Sequence, residues 1–531
     1  MNTILKAGLT AAAIALSASA SATVYYVSDC QAGAVAGCVA GSDSNAGTSA
    51  AAPWKSVAKV ATIIGTMAAG DEVRFARGGS FTNARLNIYN VNSRAATPLV
   101  FDSYKPSWGT GTQKPILTAL AGADSLISFT DSGNADHDEG YVLRNLDLRG
   151  LGNGTGVFIY NDADYVTLDN LDISNFAIGV DCSDSNPPNA GSNARNDYIT
   201  LRNSTIKNNS AQGYLGGCNQ VLIENNRFDN NGFAGTLMRN HNVYIGSKGS
   251  SVTVRGNYLT RSAVGNGVCQ GVALVAHNNQ SNLLIENNII DESTGASGGC
   301  YGIQVSPGNA GLAESFRGTV IRGNKIINVG YVGIAVAACP DCVIENNFLI
   351  RELPGTFIGI TMHSEGVESG VDAADTNLTV RNNSIYFAAG NYESVGIQVE
   401  SFGSNHKVVS NLVYFGSGTV NSKCFSTKGL TLSNFAAFDN NLCYSAGVST
   451  YSQAYPSLAA AQAAGFDRTG LNTDPMLVAV PSVANGYAIK AKEGSPLLKA
   501  GHLSLSVVAA PANIGAYDHT PPSPPSSVVI K

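Results

Sequence analysis

Two groups of ionisable side chains stand out by type and spacing. Arg239, His241, Tyr244 and Lys248 lie close together, and His277 follows about one sequence repeat later. A phenol, imidazoles and two cations are the set required for β-elimination beside a carboxylate. One group takes the α-proton, a cation holds the enolate-like charge, and a third protonates the leaving oxygen. Tyr244 and His241 are the candidate base and acid, with Arg239 or Lys248 as neutraliser. The second group is His363 with Glu400, flanked by Glu365 and Arg351. A carboxylate beside an imidazole orients and charges it for acid–base work. His363 is therefore a second candidate base. Hydrolysis of a glycosidic bond asks instead for two acids flanking the bond, and Glu365 and Glu400 are the pair near enough to propose.

Whether these residues meet depends on the elements that carry them. The chain repeats a hexad with apolar ends and a central Asn: Leu201-Arg-Asn-Ser-Thr-Ile206, Ile223-Glu-Asn-Asn-Arg-Phe228, Ile285-Glu-Asn-Asn-Ile-Ile290, Ile344-Glu-Asn-Asn-Phe-Leu349 and others between Leu143 and Cys443. Successive copies start 22 to 36 residues apart, a period that marks a stacked repeat. Asn tolerates the left-handed geometry of a tight bend, and stacked Asn side chains can hydrogen-bond along the stack. After most hexads comes a second short strand, such as Gly302-Ile-Gln-Val305, Gly333-Ile-Ala-Val336, Gly359-Ile-Thr-Met362 or Gly396-Ile-Gln-Val399. Two or three short strands per repeat, no helical period and a variable loop describe an all-β parallel β-helix.

Composition narrows the partners. A net charge of −6 with 13% charged residues shows no basic patch for nucleic acid. Residues 1–22 read as a signal peptide: Lys6, the apolar run Ala7 to Leu16, and the small-residue site Ala20-Ser21-Ala22. The run is too short to span a bilayer, so the expected product is a secreted, soluble monomer. Ten cysteines in an exported chain favour disulfides, between sequence neighbours: Cys30 with Cys38, Cys182 with Cys218, Cys269 with Cys300, Cys339 with Cys342, Cys424 with Cys443. Residues 23–84 read as an N-terminal cap containing one amphipathic helix from Pro53 to Met67, because Trp54, Val57, Val60 and Ile64 fall at helical spacing. A cap covers the open end of a repeat stack. The coils take residues 85–450, a C-terminal cap region 451–519, and a disordered Pro/Ser tail 520–531. Asp131 to Glu139 offers oxygen ligands for Ca²⁺ or a plain solvated loop.

The hexads, the pattern Gly41-x-Asp-x-Asn-x-Gly-Thr48 with Pro53-Trp-Lys55, Ala69-Gly-Asp71-x-Val73 and Gly78-Gly79, and Ile514-Gly-Ala-Tyr517 together resemble the bacterial exported right-handed β-helix proteins of the pectate-lyase-like superfamily. The resemblance implies a right-handed solenoid over most of the mature chain and a polysaccharide groove along the outer face of the Gly-Ile-x-Val strands. Alternation along those strands puts Tyr244, Ala273, Gln304, Ala335, Thr361 and Gln398 in one outward column. Gly246, Val275, Ser306, Ala337, His363 and Glu400 form the next. His277, Gln304, Gln398 and Arg351 are the expected substrate-binding residues. The favoured activity is a polysaccharide lyase on a uronate-containing chain. A hydrolase, an epimerase or a non-catalytic surface protein remains open on the same scaffold.

Overall fold

The computed structural model describes residues 22–130, 139–183, 195–234, 239–246, 249–295, 298–363, 366–388, 391–400, 403–502 and 513–516. Three long parallel sheets wind along a common axis as a right-handed β-helix. The first has 14 strands, from Val24–Val27 to Phe435–Asp439; the second has 13, from Leu86–Ile88 to Val448–Ser452; the third has 13, from Ser80–Ala84 to Leu442–Ser445. One coil contributes one strand to each, as Leu222–Glu224, Arg227–Asp229 and His241–Ile245 do to the first, third and second sheets.

Each hexad turns the corner between the first and third sheets. Its apolar ends, such as Ile223 and Phe228, are fully buried in the bore. The two jobs expected of the Asn fall on consecutive positions. The outer residue takes the left-handed conformation, with φ 56° at Asn225 and 54° at Asn346, and Gly at 256 and 323. The inner one builds a ladder. Asn324 Nδ2 donates to Asn347 Oδ1 at 3.0 Å and to the carbonyl of Ile285 at 2.9 Å. The same pattern runs through Asn226, Asn257, Asn288, Asn347, Asn383 and Asn411 to Asn441. Asp467 is the last rung: its Oδ1 accepts from Asn441 N at 3.0 Å and its Oδ2 from the Tyr451 hydroxyl at 2.7 Å.

Residues 23–84 add strands Val24–Val27 and Glu72–Ala76 to the first sheet and Ser80–Ala84 to the third. The expected short helix is present as Val57–Ala61, followed by a 3₁₀ turn Ile64–Thr66. Ser56 caps the helix, its Oγ accepting from Lys59 N at 3.1 Å, while Trp54, Val57, Val60 and Ile64 are buried at the end of the bore. At the other end, Leu458 and Ala461 of helix Leu458–Ala463 are buried, and Phe466 packs on Phe435 and Phe438. Beyond it the chain runs back beside the third sheet, where Lys325 Nζ donates to the carbonyl of Gly486 at 2.6 Å and Ala516 N to Ser384 Oγ at 2.9 Å.

All five expected disulfides are present. Among the described residues no helix is long and apolar enough to cross a membrane. The signal segment up to residue 21, the Asp131–Asp138 stretch, Lys248, Glu365 and the tail lie outside the described residues.

Candidate functional site

Strand pairing sets which residues share the outer face of the second sheet. Tyr244 pairs with Val275, Val275 with Gln304, and the column continues through Ala335, Thr361 and Gln398. Val275 therefore stands where Ala273 was expected, and Ala273 packs in the core. The next column also shifts on this coil. His277, not Val275, sits between Gly246 and Ser306, its backbone N donating to Ile245 O at 2.9 Å, as Ser306 N does to Ala276 O at 3.2 Å. The cause is local: Val272-Ala-Leu-Val-Ala276 carries Ala at the positions that are Gly and Val in the next strand, Tyr301-Gly-Ile-Gln-Val305, so the motif does not mark its own register.

His241 opens its strand and faces the same side. Asn242, next to it, turns inward, its Oδ1 accepting from Asn231 at 2.8 Å and its Nδ2 donating to Ser262 Oγ at 2.6 Å. Val243 is also inward. Two successive inward residues break the alternation that would have placed His241 inside.

These side chains line a groove of about 800 Å³. Tyr244, Gln304 and Ser306 form its floor; Arg239, Gln270, Gly271 and Tyr301 lie on one side; His277, Pro307, Gly308 and Asn309 lie on the other; His363 and Gly366 close the far end. The Tyr244 ring lies between two imidazoles, with centroids 5.5 Å from His241 and 5.5 Å from His277. Burial and the charge of Glu314 push the Tyr244 phenol above its ordinary value of 10.0, so it keeps its proton at neutral pH. His241 is 3% exposed, and burial lowers its pKa to about 3. Its Nδ1 lies 3.2 Å from Val272 N and 3.2 Å from Val272 O. It is a neutral packing partner of Tyr244. His277 is half-buried, and its Nδ1 is 2.7 Å from the carbonyl of Ser306. Donation to that carbonyl places the proton on Nδ1 and leaves the Nε2 lone pair for a substrate proton.

The His277 side is braced. A Cβ on Gly308 would stand 2.7 Å from the His277 ring, so only glycine lets the loop close on it. Buried Glu314 holds that loop, accepting from Gly308 N at 2.7 Å and Asn309 Nδ2 at 2.7 Å. Its own N donates to Asp372 Oδ1 at 2.8 Å, which ties two loops together.

The other candidates separate. Arg239 is exposed, and its carbonyl accepts from Gln212 Nε2 at 2.9 Å. Gln304 donates to Ser306 Oγ at 2.9 Å on the floor. His363 shares the groove with Tyr244, so one member of the second group stands at the far end of the trough that holds the first. Glu400 forms an ion pair with Lys428. Gln398 is 8% exposed and donates to Thr361 Oγ1 at 3.3 Å. Arg351 is a correction. It lies in the third sheet, 2% exposed, and donates to the carbonyls of Val329 at 3.0 Å and Pro354 at 3.0 Å. It braces a corner and does not reach the groove. Among the described residues no cluster of His, Cys, Asp and Glu could hold a metal ion.

Tyr301 and Glu314 were not singled out from the sequence. The insert Ser306-Pro-Gly-Asn309 directly after a Gly-Ile-x-Val strand was the signal available for a groove wall.

The protein is thus a right-handed parallel β-helix with a polar trough along one sheet. Residues 126–313 match the family described as right handed beta helix region. The lacto-N-biosidase of Bifidobacterium longum subsp. longum is 27% identical over 157 residues, 30% of this chain and 8% of that protein. Among solved structures, the A-module of the mannuronan C-5 epimerase of Azotobacter vinelandii is 14% identical, with a TM-score of 0.45 over 79% of this chain and 95% of that one. A pectate lyase is 12% identical, with a TM-score of 0.35 over 93% of this chain and 96% of that one.

Proposed function

We propose that this protein is an exported polysaccharide lyase acting on a uronate-containing chain. The observation that carries the reading is the set of side chains lining the trough: three imidazoles, two phenols and a guanidinium, with no Asp or Glu among its described residues. His277 takes the proton beside the substrate carboxylate through Nε2. Arg239 neutralises that carboxylate as its α-carbon gains charge. Tyr244, holding its proton, donates it to the leaving glycosidic oxygen, and the elimination leaves a carbon–carbon double bond in the new end. His277 here takes the base role that the sequence reading had given to Tyr244 or His241. Five disulfides suit an oxidising compartment outside the cell.

A second reading is hydrolysis, favoured by the stretch of similarity to a protein named lacto-N-biosidase. It needs two acids at the bond, and Glu365 is the carboxylate nearest the far end by sequence. One experiment separates them. The purified protein is incubated with uronate-containing and neutral glycans, and both ultraviolet absorbance of unsaturated uronate and new reducing ends are read. Absorbance rising with reducing ends supports the lyase. Reducing ends without absorbance, lost in Glu365→Gln, overturn it in favour of the hydrolase.

A further inference from the structure

On the wall of the trough beyond Tyr244, Tyr301 packs against a second ring, that of Tyr331, just outside the groove lining. Tyr301 pairs in register with Val272, and Val272 with His241. It therefore lies two coils from His241, roughly 10 Å along the axis at about 4.8 Å per coil. The equivalent positions on the two adjacent coils are aliphatic and covered: Val272 is 6% exposed and Val332 1%. Tyr301 breaks that pattern. It is half-buried and lines the groove. Tyr331, on the next coil, is 40% exposed, with its ring centroid 5.9 Å from that of Tyr301.

The backbone beneath the pair is pinned. Tyr331 N donates to the carbonyl of Cys300 at 2.9 Å, and Cys300 is bonded to Cys269 on the preceding coil. Gln270, Gly271 and Gly299, which line this side of the groove, lie beside the two cysteines in sequence. Gly299 carries no side chain and meets nothing where a Cβ would be, so the space next to Tyr301 is open. Opposite, Gln304 and Ser306 present an amide and a hydroxyl. An amphipathic ring on one side and hydrogen-bonding groups on the other match the two aspects of a pyranose, whose C–H faces are apolar and whose rim is hydroxylated.

We propose that Tyr301 and Tyr331 form a stacking subsite for one pyranose ring of the substrate chain, one to two coils beyond His277. This rests on the reading of the trough as a polysaccharide site. The bland alternative is that Tyr331 only shields Tyr301 and the corner beneath it.

The test compares wild type with Tyr331→Ala, Tyr331→Trp and Tyr301→Leu, each checked for its melting temperature. The first readout is binding of polysaccharides by affinity electrophoresis, which needs no turnover. The second is kcat and KM on whichever glycan the wild type cleaves. The expected result is weaker retention by the gel and a rise in KM of about tenfold for Tyr331→Ala, with kcat falling less than KM rises, and recovery in Tyr331→Trp. Unchanged affinity and KM in both Tyr331→Ala and Tyr301→Leu, with only the melting temperature lowered, would overturn the subsite while leaving the trough in place. A wild type that neither retains nor cleaves any glycan would overturn both.

Discussion

Tyr244 and the two histidines beside it are chemically unequal, although the sequence presents them as similar candidates. Burial strips His241 of its charge down to about pH 3, so it has no proton to trade near neutrality, whereas His277 is anchored through Nδ1 with Nε2 available. His277→Ala and Tyr244→Phe should each lower kcat by about 10²- to 10⁴-fold, the usual worth of a general acid or base, with melting temperatures close to wild type. Steady-state rates on the identified substrate check this, and full turnover in both would show the trough chemistry to be wrong. The pH profile gives a second check. Because the Tyr244 phenol is raised above 10.0, loss of the proton donor should begin only beyond about pH 10, and activity should hold through pH 9. An alkaline limb near pH 8 would exclude Tyr244 as the donor. His241 could not be assigned by alternation, because its exposure to the groove depends on Asn242 turning inward, a contact with Asn231 and Ser262 that no local pattern records.

At the scale of the element, the Asn ladder and the glycine under His277 do different work. Asn324 is fully buried and both donates and accepts along the ladder. Asn324→Ala leaves the Asn288 amide donor without its acceptor inside the bore. A cost of about 2–4 kcal/mol is expected from one stranded buried group plus the lost bonds, read as a shift of the urea midpoint. Gly308→Ala should do the opposite: little change in the midpoint, but a fall in kcat, since the new Cβ displaces the His277 ring. The hexads were fully legible because Asn, Gly and flanking aliphatics recur with the coil. The groove column was legible on five of the six strands compared and misread on the one at Val272–Ala276. There Ala stands in place of Gly and Val and the pattern carries no phase. The loop that Glu314 anchors could not be read at all, because its contacts reach Asp372, on a loop two coils further along.

For the molecule as a whole, the ends decide stability. Asp467 closes the ladder at the C-terminal end, and burial raises its carboxyl from 3.8 to about 7. A carboxyl raised in the folded state binds its proton more tightly than in the unfolded chain. Stability is therefore full below about pH 4 and falls as pH rises to about 7. Asp467→Asn keeps an acceptor for Asn441 and removes the titration. At pH 8 the variant should be more stable than wild type by on the order of 2–4 kcal/mol, with little difference at pH 4; urea unfolding at the two values tests it. Removing residues 23–80 should yield aggregating protein, since that takes away the first two strands of the first sheet and the helix over the bore. Light scattering of the truncated product would show it. Because each strand of the three sheets pairs only with the strands of the coils on either side, and each coil adds about 4.8 Å, the trough is a ruler graduated in coils. Its reach between Tyr244 and His363 is counted in turns of the chain, not shaped by any one loop. A natural or engineered insertion of one whole coil, spliced between strands Val332–Val336 and Ile358–Met362, would lengthen the bound stretch of polymer by a single graduation. On the proposed reading the chemistry at His277 would stay where it is, so such a scaffold could change how much chain it grips without relearning how to cut it.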